Sequence, residues 1–149
     1  NVIAWTYNPN IEWSKSTGIN YVDLDQLLQT SDVVSLHTRL SPDTEGFIGE
    51  KEINSMKPGA ILINVGRGAL IDTLAMVSAL HSGQLGGAGL DVFDVEPITK
   101  DHPILECDNV VLTPHTADVV PEGVDVLNSG TVKNVLAFLE GKPINIVNP

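Results

Sequence analysis

The chain has 149 residues, and its eight Lys and Arg stand against nineteen Asp and Glu, for a formal net charge of −11. An acidic excess spread along the chain argues against nucleic acid or an anionic membrane surface as partner, and no run approaches the roughly 18 apolar residues of a membrane span. The 42 % hydrophobic content suits a globular domain with a real core, while Cys107, the only cysteine, excludes an internal disulfide and a zinc site built on several thiolates.

The opening "NVIAWTYNPN" has no basic region leading into a long apolar stretch, so a protein of the reducing cytoplasm is expected, with no metal centre. In chain order the apolar runs are "VIAW" (2–5), "DVVSLH" (32–37), "AILINV" (60–65), "GAGLDVF" (87–93) and "NVVLTPH" (109–115). They are continuous rather than alternating, which predicts strands buried on both faces. Helical spacing falls between them: Leu24, Leu27 and Leu28, then Ile53 and Met56, then Leu74, Val77, Ala79 and Leu80, stopped by "HSGQLGG". This alternation predicts a doubly wound α/β fold, a parallel sheet with helices on both sides. "VPEGVDVLNSGTVKNVLAFLEG" reads as a long last helix, with Pro121 near its first turn and Gly141 past its end. Gly123 and Gly130 inside it each cost about 1 kcal/mol relative to alanine, so packing is expected to hold it.

In open α/β sheets ligands bind beyond the carboxyl ends of the strands. Arg67 follows "ILINV" directly, between Gly66 and Gly68, which permit close approach. "GAGLDVF" delivers Asp91 and, one loop later, Glu96, and "NVVLTPH" delivers His115. Taken singly, each has an ordinary reading: a solvated arginine, a loop acid, a loop histidine like His81 and His102. Together they make a sensible set, because a histidine moves a proton near neutrality, a carboxylate orients it, and a guanidinium grips a carboxylate or polarises a carbonyl.

"MKPGAILINVGRGALID", "GGAGLDVFDVEP", "DNVVLTPHTA" and "NVLAFLEGKPINIVNP" together resemble the D-isomer-specific 2-hydroxyacid dehydrogenases, essentially from residue 1 to 149. The resemblance implies a Rossmann-like fold and an oxidoreductase that interconverts a D-2-hydroxy acid and a 2-oxo acid by hydride transfer. His115 would serve as acid and base, Glu96 would support it, and Arg67 would bind the substrate carboxylate. It also implies cofactor contacts from Thr6, Thr38, the backbone of Val65 and Gly66, Arg67, Asp91, His115 and Thr116. Asp91 has a second reading as an acid capping amides at the strand end, and His37 is expected to support its loop. The cofactor is NAD or NADP, with NAD favoured, and the assembly is a homodimer. A second reading from another class is a dinucleotide-sensing binding module of the dehydrogenase-like corepressor type.

Two departures stand out. Where the family has an acid that reads the adenosine ribose, "VIAWTYNP" has Thr6, or Tyr7 if the register slips, and without that acid a 2′-phosphate is rejected less strongly. Arg39 is the nearest cation for such a phosphate, and Asp118, at a position where the family has small residues, is expected to face solvent. The larger departure is that no G-x-G-x-x-G occurs, and "NVIAW" resembles the family's second strand. Residues 1–149 are therefore read as a partial dinucleotide-binding domain lacking its first strand and Gly-rich turn. The last part, about 121–149, resembles the segment that returns toward an absent substrate domain. In the 3-2-1-4-5-6 strand order, that first strand lies mid-sheet, so its loss would leave two unpaired edges. The chain is then expected to be part of a longer one, a fragment, or a piece that pairs with another copy, and inactive when alone.

Overall fold

In the computed structural model, which describes residues 1–147, all the strand pairs are parallel. Strand β1 (Ile3–Ala4) pairs with β2 (Asn20–Tyr21) across helix α1 (Ile11–Thr17). Helix α2 (Leu24–Thr30) leads to β3 (Val33–Leu36), α3 (Glu50–Ser55) to β4 (Ala60–Asn64), and α4 (Thr73–Ser82) to β5 (Leu85–Leu90). A 3-10 turn, Pro103–Glu106, precedes β6 (Val110–Leu112), and α5 spans Pro121–Leu139. The strands form two sheets, β1-β2 and β3-β4-β5-β6. By its contacts the chain divides into two units, Asn1–His115 and Thr116–Pro149.

The helices begin and end on local chemistry. Asp23 and Asp72 cap α2 and α4 by accepting from the N–H groups of Gln26 and Ala75. Gly83, at φ 79°, closes α4 in the left-handed region, within the "HSGQLGG" stop. Leu28 from α2, Ile53 from α3, and Met76, Val77, Ala79 and Leu80 from α4 join Val34, Leu36, Leu62, Leu85, Ala88 and Leu90 of the sheet in one core.

Burial on both faces, expected from the continuous apolar runs, is met on one. Along β3 and β4, Val34, Leu36, Ala60 and Leu62 are buried, whereas their alternating neighbours Val33 and Ile61 are 50 % and 42 % exposed. The core helices of the first unit cover one side, and a period of two then leaves every second residue uncovered. Helix α1 and strand β2 carry no periodic signal in the sequence, because α1 buries no residue and β2 is two residues long. Helix α5 takes its predicted place, with Pro121 in the first turn and Gly141 at φ 70°. None of its residues is buried, so the packing expected to hold it is not supplied among the described residues.

The gap expected in the sheet is visible. Strands β1 and β3 do not pair, and a cavity of about 980 Å³ runs between them, lined by Ile3, Trp5, Leu28, Val34, Leu36 and Phe47 among others. Trp5 stacks on Phe47 at 5.2 Å and meets Tyr7 edge-on at 4.8 Å, so aromatic contacts rather than a ladder tie β1 to the rest of the unit. No helix is long and apolar enough to cross a membrane among the described residues.

Leu62, with no exposed surface at the centre of β4, supplies the test of this core. Leu62→Ala should destabilise the protein by about 2–5 kcal/mol, read as a lower denaturation midpoint.

Candidate functional site

Three loops leave β4, β5 and β6 at the same end of the parallel sheet, and each carries one of the expected residues. After β4 the chain is organised by Asn64, a buried amide at 1 % exposure. Its Nδ2 donates to the Arg67 carbonyl at 2.8 Å, and its Oδ1 accepts from the Gly66 N–H at 3.0 Å. One side chain thus folds residues 64–67 into a tight loop and leaves the Arg67 side chain exposed, its Nη1 donating to the Gly66 carbonyl at 2.7 Å. Gly66 lies against the β3 loop: a Cβ there would stand 3.3 Å from the Thr38 carbonyl oxygen. At Gly68 a Cβ would fall 1.9 Å from the Phe93 carbonyl carbon, so only glycine lets the loops after β4 and β5 touch.

After β5, Asp91 is buried. Its N–H donates to the Asn64 carbonyl at 3.0 Å, and its Oδ1 accepts from the Thr113 hydroxyl at 2.5 Å. Glu96 then folds back: Oε1 accepts from the Phe93 N–H at 2.9 Å, and Oε2 stands 2.7 Å from His115 Nδ1. His115 has φ 56°, a left-handed conformation uncommon for a side-chain-bearing residue and concentrated at functional sites.

A carboxylate only accepts, so Nδ1 donates to Glu96 and Nε2 is the nitrogen that gains and loses a proton. The hydrogen bond from His115 holds the Glu96 carboxyl below its ordinary value, helped by the Phe93 N–H and by the charges of His115 and Arg67, against a smaller upward push from burial. The set can exchange a proton with an oxygen while a guanidinium holds an anionic group nearby.

The remaining expected residues are distributed. Thr6, Thr38 and Arg39 line the cavity beside β1 and β3. Val65 is 38 % exposed in the β4 loop, and the Gly66 N–H next to it is engaged by Asn64. Thr116 belongs to the second unit, where its carbonyl accepts from the Val119 N–H at 2.9 Å. His37 reaches Ser35 Oγ at 2.9 Å through Nε2. Asp118 is exposed, on the solvent side as expected. The sequence does not mark Asn64 and Thr113 as partners that order this rim, because nothing in it distinguishes a polar residue that will hydrogen-bond there from one that stays wet.

For a dinucleotide these residues are a partial fit. Thr6 and Thr38 offer hydroxyls on the cavity, and Gly66 keeps the surface beside Arg67 low. No Gly-rich turn after a strand provides a phosphate cradle among the described residues.

The family described as "D-isomer specific 2-hydroxyacid dehydrogenase, NAD binding domain" matches residues 1–117. A glyoxylate reductase from Thermococcus litoralis is 42 % identical over 148 residues, covering 99 % of this chain and 44 % of that protein. Among solved structures, the NAD-complexed form of a D-isomer specific 2-hydroxyacid dehydrogenase from Lactobacillus delbrueckii ssp. bulgaricus superposes with a TM-score of 0.87 at 35 % identity, covering 99 % of this chain and 49 % of that one. An acyclic imino acid reductase in complex with NADPH and D-Arg gives 0.86 at 37 % identity, covering 99 % and 46 %. The chain thus spans less than half the length of these relatives.

Because the folded-state pKa of Glu96 lies below the ordinary 4.5, its pairing contributes stability in full above that value and loses it as pH falls through the depressed one. The Tm difference between wild type and Glu96→Gln should therefore shrink on acidification. A gap that stays constant across the carboxylate range would remove the pairing from the stability of the fold.

Proposed function

This chain belongs to the D-isomer-specific 2-hydroxyacid dehydrogenases, and we propose that it is the cofactor-binding portion of an NAD(P)-dependent enzyme that reduces a small 2-oxo acid to a D-2-hydroxy acid, and reverses that step. The observation that carries this reading is the 2.7 Å contact between Glu96 and His115, one loop from Arg67. Relatives named glyoxylate reductase and hydroxypyruvate reductase support a small 2-oxo acid as the substrate class.

In this reading Arg67 binds the substrate carboxylate with the part of its planar fork that does not face Gly66, and its charge helps polarise the neighbouring carbonyl. His115 Nε2–H donates the proton to the carbonyl oxygen as the alcohol forms and takes it back in the reverse direction. Glu96 holds Nδ1–H, which fixes the tautomer and the orientation of the ring. Bound NAD(P)H supplies the hydride. Thr6, Thr38, the Val65–Gly66 backbone, Asp91 and Thr116 are the residues of this chain that would hold it.

The cavity between β1 and β3 completes the reading. Two unpaired parallel edges facing a space of about 980 Å³ suit a further strand with its connection, which would join both sheets and bring a phosphate-binding turn to the carboxyl rim. Residues 1–149 alone would then be inactive.

Arg67→Lys in the whole protein, which keeps the charge and loses the fork, should lower kcat/KM on the order of 100-fold; steady-state kinetics with an unchanged value would refute the assigned role. Thr6 puts no carboxylate against a 2′-phosphate, so isothermal titration should find NADH and NADPH binding within about tenfold of each other. A preference of several hundredfold would assign the choice to residues other than Thr6.

A further inference from the structure

We infer that His102 is a positioning residue: through a hydrogen bond from Nε2 to Asp94 it clamps the loop that carries Glu96, and so sets the geometry in which Glu96 holds His115. The inference rests on the acid–base reading of His115 given above.

His102 lies beneath the loop after β5, its side chain 8 % exposed. Nδ1 accepts from the Ile104 N–H at 3.2 Å, capping the 3-10 turn Pro103–Glu106. A backbone N–H can only donate, so Nδ1 bears no proton and the ring proton sits on Nε2. That nitrogen is 2.9 Å from Asp94 Oδ1, which also accepts from the Val95 N–H at 3.0 Å. Both ring nitrogens are thus committed, one to the turn and one to the loop. Isolated surface ion pairs contribute little, but here the histidine is buried and anchored beside Ile104, which has no exposed surface.

The clamp acts on the segment that matters. Phe93 donates its N–H to Glu96 Oε1, and Glu96 Oε2 faces His115, so the backbone at 93–95 is the frame from which Glu96 reaches. That frame abuts Gly68, where a Cβ would stand 2.3 Å from Asp94 N. It also meets His102, whose ring packs edge-on to Phe93 at 6.1 Å. The backbone at 93–95 is thus held by a close approach to the β4 loop and by the His102 ring.

Two variants of the whole protein separate the clamp from the cap. In His102→Asn the short amide keeps an acceptor near the Nδ1 position and cannot reach Asp94; in His102→Gln the longer amide keeps a donor near Nε2 and gives up the cap. His102→Asn should lose about 10- to 100-fold in kcat, with little change in KM or NADH affinity, and in the direction of 2-oxo acid reduction the acidic limb of its pH–kcat profile should move upward as the Glu96 carboxyl relaxes toward its ordinary value. His102→Gln should recover most of that rate in spite of a Tm about 2–4 °C lower. A crystal structure of His102→Asn should show Glu96 Oε2 and His115 Nδ1 farther apart than in the unmodified protein. Equal kcat loss in both variants, following their loss of Tm, would reduce His102 to a structural cap and overturn the inference. So would an unchanged Glu96–His115 contact in the His102→Asn structure, a result that counts even if the unmodified protein turns over no 2-oxo acid and the acid–base reading fails.

Discussion

Parallel pairing of β4, β5 and β6 is the constraint on which the rest depends. Asn64 lies opposite Leu90, and Leu90 opposite Leu112, so three loops begin at one level on one rim. A parallel sheet requires a crossover between successive strands, and each crossover returns the chain to the far end. The carboxyl rim is thereby left for loops that need only their own local order. Glu96 and His115 are nineteen residues apart and meet because their strands are neighbours in register.

Order within the rim comes from buried polar groups rather than from the apolar core. Asn64 and Asp91 have almost no exposed surface, and among the described residues no buried side-chain nitrogen or oxygen lacks a partner. A buried amide that lost its partner would cost the full desolvation of the group, so Asn64 enforces a single shape on residues 64–67. Asp91 joins β4 to β6 in the same way, through its N–H to Asn64 and its carboxylate to Thr113. The left-handed backbone of His115 is the local cost of facing Glu96, and it persists where neighbouring contacts determine the turn.

The other half of the first unit is organised differently. β1 and β2 make a two-stranded sheet tied to the remainder by Trp5, Tyr7 and Phe47. Aromatic stacking holds segments together without fixing a strand register, and the 980 Å³ cavity beside it carries edges on both walls. The one-sided burial of β3 and β4 belongs to the same picture, since Val33 and Ile61 are apolar residues that the first unit leaves about half exposed.

The sequence by itself determined the alternation of strand and helix, the parallel class, and the placing of Arg67, Glu96 and His115 after strands, because buried strands and capped helices leave local signals in residue type and period. It also located the break between β1 and β3, through the missing Gly-rich turn. It did not determine that Asn64 folds back on Gly66, that Gly68 touches Phe93, or that His102, which reads as an ordinary loop histidine, reaches Asp94. Those contacts join residues whose neighbours in sequence say nothing of them. The Gly68–Phe93 approach exists only once the parallel register has brought two separate loops together, and the other two contacts, each within one loop, depend on Asn64 and His102 being buried, which is a decision of the tertiary structure.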